Sequence, residues 1–206
     1  MSHWDQSFEK TNDIKTFSAG YFKYLFELLN QLDLNAVAAF VKHMEEAQRN
    51  HNTIFFIGNG GSAATASHMA NDFGVNICKG DENRSPLRAL SLTDNSAIMS
   101  AISNDDGYQN LFVNQLRIHY RPGDKLVAIS ASGNSPNILA AAEWVKKKKG
   151  VVISLTGFDG GKLKEISDVV IHVKTPVGEY GPVEDVHMIM DHLIVTWFQQ
   201  KKLNRV

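Results

Sequence analysis

Ile54-Phe55-Phe56-Ile57-Gly58-Asn59-Gly60-Gly61-Ser62 is a short apolar run that ends in a glycine-rich turn and leads straight into Ala63-Ala64-Thr65-Ala66-Ser67-His68-Met69-Ala70. It reads as strand, tight turn, helix. Glycines let the backbone turn sharply and bring its N–H groups close to a ligand, and the first turn of the helix adds unpaired donors and positive dipole. Alone, such a turn serves equally well as a plain strand-to-helix connection. A second copy tips the balance. Lys125-Leu126-Val127-Ala128-Ile129 feeds Ser130-Ala131-Ser132-Gly133-Asn134-Ser135-Pro136-Asn137, and the helical pattern Ile138-Leu139-Ala140-Ala141-Ala142-Glu143-Trp144-Val145 follows. Its serines can donate to phosphate oxygens or act as simple N-caps. Two polar turns at the carboxyl ends of parallel strands favour the ligand reading, because open α/β sheets bind ligands at that edge.

Outward from these turns the chain alternates. Phe17 to Asn50 carries two amphipathic patterns, Phe22/Leu25/Phe26/Leu29 and Val37/Phe40/Val41/Met44, divided near Asp33-Leu34-Asn35. Further strands are expected at Leu87–Leu92, Val151–Leu155 and Val169–Val173, and helices at about Asn95–Ile102, Gln109–His119 and Asn137–Lys148. Lys79 to Pro86 reads as a loop, and Thr156-Gly157-Phe158-Asp159-Gly160-Gly161 as a third turn after a strand. This order predicts an α/β fold with a mostly parallel sheet and helices on both faces. From Pro182 to Phe198 the chain is apolar around most of a helix's circumference, as in a helix buried by other helices, including those of another subunit.

Composition narrows the function classes. At 206 residues the chain suits one domain, and its net charge of -1 with no basic stripe argues against nucleic acid or an acidic membrane as partner. Lys146 to Lys149 closes a helix, where cations complement the dipole. Cys78 is the only cysteine, which excludes an intrachain disulfide and fits a reducing compartment. Met1-Ser2-His3-Trp4-Asp5-Gln6 lacks a charged segment followed by an apolar one, so a soluble, cytoplasmic protein is expected.

Two pairs can carry chemistry. His68 and Asp72 are four residues apart, on one face of the helix that the glycine turn launches. Glu184 and His192, eight apart, share a face of the last helix. Two imidazoles and two carboxylates satisfy a zinc-type site. His187 and Asp191 compete for the same role, and Glu184 with His187 also shares a face, so spacing leaves the ligand set open.

Together Gly58 to Ser62, His68, Asn104-Asp105, Ser130 to Ser135, Leu155 to Gly161, Glu184 to His187 and His192 resemble the sugar isomerase (SIS) family, in its phosphoheptose isomerase branch, over nearly the whole chain. The resemblance implies one SIS domain over residues 1–206 with a helical extension at about 1–50. It implies a three-layer α/β/α, flavodoxin-like parallel sheet with a long buried C-terminal helix. It implies a homotetramer with sites at subunit contacts, and an aldose–ketose isomerase linking sedoheptulose 7-phosphate and a heptose 7-phosphate in heptose biosynthesis. By position, Asn59, Gly60, Gly61, Ser62, Asp72, Asn104, Asp105, Ser130, Ala131, Ser132, Ser135 and Glu184 are its substrate-binding residues, with the serine turn on the phosphate. His68 and His192 fall on its zinc-binding histidines, the second also its proposed catalytic histidine, and Asp72 and Glu184 keep possible ligands beside them; we expect Asp72 or Glu184 as base with His192 as the opposing acid–base group. Asp72 stands where the branch usually has Glu, Glu184 where it has Gln, Asn76 where it has Arg and Gly181 where it has Asp. These departures leave open an isomerase of another ketose phosphate, or a phosphosugar-binding scaffold like the relative that associates with the bacterial replication initiator.

Overall fold

The protein's structure is a computed structural model that describes residues 11–79 and 85–201. The amino-terminal segment at residues 1–6, and most of the loop expected near residue 80, lie outside the described residues. Two helices come first, α1 (Ile14–Asn30) and α2 (Leu34–Arg49). Asp13 caps α1 by accepting from the backbone of Lys15 and Thr16, and Asp33 caps α2 by accepting from Asn35, which places the break between them where the sequence put it. Then follow β1 (Thr53–Gly58), α3 (Gly61–Gly74), β2 (Arg88–Ser91), α4 (Ser96–Asp105), α5 (Leu111–His119), β3 (Lys125–Ser130), α6 (Pro136–Lys147), β4 (Val151–Phe158), α7 (Gly161–Ile166), β5 (Val169–Lys174) and α8 (Tyr180–Gln200).

The strands form one parallel sheet in the order β2-β1-β3-β4-β5. That is the flavodoxin-like order, and its direction reverses between β1 and β3. β1, β3 and β4 are the inner strands and are buried almost throughout, as sheets covered on both faces require. Their side chains alternate between two cores. Ile54, Phe56, Val127 and Ile129 pack with Met44, Phe73, Val186 and Ile194 on one face. Phe55, Ile57, Leu126 and Ala128 pack with Leu116, Ile138, Ala141 and Leu163 on the other. The result is three layers, with α1, α2, α3 and α8 on one side and α5, α6 and α7 on the other.

Several boundaries differ from expectation. β4 runs on to Phe158, because Thr156, Gly157 and Phe158 pair with His172, Val173 and Lys174 of β5; the turn proper is at Asp159 and Gly160. A short 3-10 segment, Tyr108–Asn110, precedes α5. α8 begins at Tyr180, so Pro182 lies within its first turn, where a missing N–H costs nothing. α8 is also less enclosed than its composition suggests. Val183, Val186, Met190, Ile194 and Phe198 are buried, whereas Leu193 and Trp197 are 47% and 53% exposed beside Leu34, Val37 and Val41 of α2. No described helix is long and apolar enough to cross a membrane.

The turn after β4 braces the serine turn. Gly157 N donates to Ala131 O and Leu163 N to Gly133 O, each at 2.9 Å, and Lys162 N donates to the Asn134 side chain at 3.1 Å. Gly133 has φ +61°, and a Cβ there would stand 1.9 Å from Gly160 O. Backbone cannot yield as a side-chain end can, so Gly133→Ala should lower the unfolding free energy by on the order of 2–4 kcal/mol in a urea titration.

α8 also carries two buried ionisable groups with opposite effects. Burial pushes the His187 imidazole down from 6.5 to about 4, against the partial help of its contact with Thr156 O at 3.3 Å. Its contribution to stability is complete above pH 6.5 and is lost as pH falls toward 4, because there the unfolded chain binds a proton that the folded chain refuses. Burial, and then the charge of Asp72, raise the Asp191 carboxyl from 3.8 to about 7, so its contribution is present at low pH and lost as pH rises through about 7. The two partly cancel in the metal-free wild type, and subtraction separates them. Relative to His187→Gln, the metal-free wild type should lose about 1.4 kcal/mol per pH unit on acidification from 6.5 toward 4. A pH-independent difference in unfolding free energy would mean that folded His187 titrates normally.

Candidate active site

The crevice at the reversal between β1 and β3 is where the sequence motifs meet. Gly60, with φ +54°, stands at the N-cap of α3, and Ala63 N and Ala64 N close back onto its carbonyl. A side chain with a Cβ strains that conformation, which explains glycine there. Across the crevice Ser135 is the N-cap of α6, yet its hydroxyl makes no capping hydrogen bond and lies 3.5 Å from the Ser130 hydroxyl. The alternative of simple N-capping therefore fails at Ser135. Ser130 Oγ accepts from Gly133 N, and Ser132 Oγ accepts from Asn134 N, so the turn is closed by its own side chains.

Asn59, Ser62, Ser130, Ala131, Ser132, Ser135, Tyr180 and Glu184 line one pocket of about 120 Å³. That volume is below the several hundred Å³ typical of a site enclosing a whole ligand, so within one chain it fits the phosphate end of a sugar phosphate rather than all of it. Glu184 closes it from the α8 side and lies against the glycine turn: a Cβ on Gly61 would stand 2.3 Å from a Glu184 carboxylate oxygen. Only a glycine at 61 leaves room for the carboxylate in this position. Burial, then the charge of Asp185, raise the Glu184 carboxyl above its ordinary range.

A second cluster sits farther along α3 and α8. The imidazole Nε2 atoms of His68 and His192 face each other at 3.1 Å. His68 Nε2 is 3.6 Å from both Asp72 Oδ2 and Asp191 Oδ2. One donor atom from each of His68, Asp72, Asp191 and His192 lies within 4.8 Å of the others, and Glu184 is not in this group. The imidazoles are exposed and the carboxyl groups buried, so the cluster has a floor of carboxyl oxygens and an open mouth. The Asp72 carboxylate is held by Asn71 and Asn76 side-chain amides. Asp191 has neither carboxylate oxygen hydrogen-bonded.

Thus His68, Asp72 and His192 come together as the sequence suggested, while Glu184 stands apart with the serine and glycine turns and Asp191 occupies the place in the cluster that Glu184 was expected to fill. Asn104 and Asp105 are exposed at the end of α4, paired with each other, and do not line the pocket. Their segment reaches it through Tyr108, whose hydroxyl donates to Asn59 Oδ1 at 2.9 Å. Asn59 is further tied to Asn137 by two side-chain amide contacts of 2.9 Å, which bridge the crevice. Sequence reasoning passed over Tyr108 and Asn137. Asn137 stood inside the quoted serine turn, and its burial against Asn59 was the missing information.

Comparison with known proteins agrees with this fold. A family model described as SIS domain matches residues 20–157. The phosphoheptose isomerase of Rhodospirillum rubrum is 41% identical over 141 residues, covering 68% of this chain and 72% of its own. That of Aneurinibacillus thermoaerophilus is 38% identical over 170 residues, covering 82% and 79%. The structure of phosphoheptose isomerase GmhA from Neisseria gonorrhoeae superposes with a TM-score of 0.81 at 28% identity, over 92% of this chain and 100% of that one.

Proposed function

The chain belongs to the SIS family and to its phosphoheptose isomerase branch, and from that premise we propose that it interconverts sedoheptulose 7-phosphate and D-glycero-D-manno-heptose 7-phosphate in heptose biosynthesis. It is an aldose–ketose isomerase. The observation that carries the chemistry is the single pocket in which the serine turn and Glu184 face each other across the glycine turn.

Isomerisation moves a proton between adjacent carbons through an enediol, so it needs a base, an acid on the other side and stabilisation of a developing oxyanion. The hydroxyls of Ser130, Ser132 and Ser135, with the Asn137 N–H in the first turn of α6, hold the phosphate. This anchors the substrate by a group remote from the reacting carbons. Gly60, Gly61 and Asn59 bring backbone and an amide against the sugar. Glu184 takes the proton from one carbon and returns it to the next. Its raised carboxyl suits that task, because a base works best when its proton affinity lies nearer the working pH. His192, exposed at the open mouth with Nε2 turned toward His68, leaves Nδ1 to move the hydroxyl proton from the other side.

A divalent ion of the zinc type fits the cluster, since Asp191 offers buried oxygens with no hydrogen-bond partner beside two imidazoles and Asp72. When bound, it polarises the carbonyl and hydroxyl oxygens of the sugar. His68, Asp72 and His192 hold it. The exposed apolar faces of Phe22, Phe26, Leu193 and Trp197, together with a pocket too small for the whole substrate, support a homotetramer whose sites are completed at subunit contacts. With one cysteine and no basic stripe, the cytoplasm is the compartment we assign.

The reading is tested with sedoheptulose 7-phosphate in deuterated water, following solvent exchange of the proton carried between carbons. Glu184→Gln should lower kcat by roughly 10²–10⁴-fold with little change in KM, and His192→Gln should abolish the reaction. Ser135→Ala should instead act mainly on KM. Undiminished exchange in Glu184→Gln would remove the assigned base. Gly61→Ala should cost kcat with the thermal midpoint held, since the added methyl displaces the end of Glu184 rather than backbone.

A further inference from the structure

The geometry points to Asp191 as the fourth donor of the cation site, with Glu184 released from the metal to serve the sugar. The carboxylate of Asp191 is fully buried, and neither oxygen has a hydrogen bond. Asp72, buried at 6% exposure, is the second carboxylate of the same floor. Two carboxylates removed from water at one place are costly unless positive charge is supplied, and no lysine or arginine is paired with either among the described residues.

Donor spacing identifies what supplies it. A tetrahedral ion with ligands at about 2.05 Å has donor–donor edges of roughly 3.3 Å. The three distances measured from His68 Nε2 are 3.1 Å to His192 Nε2, 3.6 Å to Asp72 Oδ2 and 3.6 Å to Asp191 Oδ2, which bracket that edge. Two imidazole nitrogens facing each other at 3.1 Å also leave at least one lone pair directed into the space between them when both rings are neutral. Asp191 and His192 are neighbours on α8, and α3 brings His68 and Asp72 at i and i+4, so two helices in fixed contact present all four donors. Glu184 lies seven residues before Asp191, about 10 Å along the helix axis at 1.5 Å per residue, against Gly61. A dianionic donor set neutralises a divalent ion, and Glu184 then keeps its basicity.

Cobalt(II) titration of the chelator-treated protein, followed by its visible absorption and by the thermal midpoint, tests the assignment without relying on turnover. The wild type should take up one ion per chain in a four-coordinate spectrum and gain thermal stability. Asp191→Asn should weaken binding by at least about 100-fold and lose the metal-induced rise in midpoint, while its metal-free midpoint stays at or above the wild-type value. Asp191→Cys, which restores a donor, should recover at least tenfold of that loss. Glu184→Ala, which removes the donor altogether, should bind within about threefold of wild type. If Asp191→Asn binds like wild type, Asp191 is simply a protonated neighbour and the proposal falls; it falls equally if Glu184→Ala loses the ion, or if the wild type takes up none. The role of Glu184 at the sugar rests on the isomerase reading, whereas the ligand assignment does not. Cobalt uptake as described, with no proton exchange on any ketose phosphate, would keep Asp191 as ligand and overturn the isomerase.

Discussion

The strand order reverses between β1 and β3, and that reversal governs everything functional in this molecule. Chain leaving β1 passes into α3 on one face of the sheet, and chain leaving β3 passes into α6 on the other. The carboxyl ends of the two central strands are therefore left uncovered, with two helix N-termini directed toward the gap. Neither turn alone makes a site. The reversal places the glycine turn and the serine turn on opposite walls of one crevice, and the Asn59–Asn137 pair keeps the walls at fixed separation.

α8 closes this arrangement at some cost to the core. Its face toward α3 and the sheet carries Val183, Val186, Met190 and Ile194, but also Glu184, His187 and Asp191. An isolated ionisable group in such a place favours its neutral form, as the opposed displacements of His187 and Asp191 show. α1 offsets part of the cost. Tyr24 donates to Glu179 at 2.6 Å, just before the helix begins, and Tyr21 bonds Asp185 beside Glu184. α1 thus does more than cover the sheet, since it fixes the start of the helix that bears Glu184.

The fold was legible because its signals are local and repeated. β1 and β3 announce themselves as Ile54 to Ile57 and Leu126 to Ile129, and the turn residues after them admit few other conformations. What sequence could not supply was distance. Four residues in α8 satisfy the helical spacing for a ligand, namely Glu184, His187, Asp191 and His192. Which of them meets His68 depends on the rotation of α8 against α3, set by packing of Met69, Phe73, Val186 and Phe198. The turn expected at Thr156 to Gly161 starts three residues later for a related reason: small polar residues mark a turn, and only the pairing of Thr156, Gly157 and Phe158 with β5 carries the strand on to Phe158.

Charge accounts for the pattern of substitutions that set this chain apart from the branch it resembles. Under the proposed assignment, Asp72, where the resemblance implies the longer Glu, holds its carboxylate back by one methylene, and Asn76, where it implies an arginine, is short enough to hold that carboxylate from the next turn. An acidic Glu184 would overload a cation that already met Asp72 and Asp191, leaving three carboxylates against two positive charges, and a metal-bound carboxylate is a poor base. Set against Gly61, it escapes both difficulties. Its proton affinity is then raised by burial and by Asp185 rather than suppressed by a cation, so that under the proposed assignment the carboxylate that holds metal and the carboxylate that moves protons are different residues on one helix.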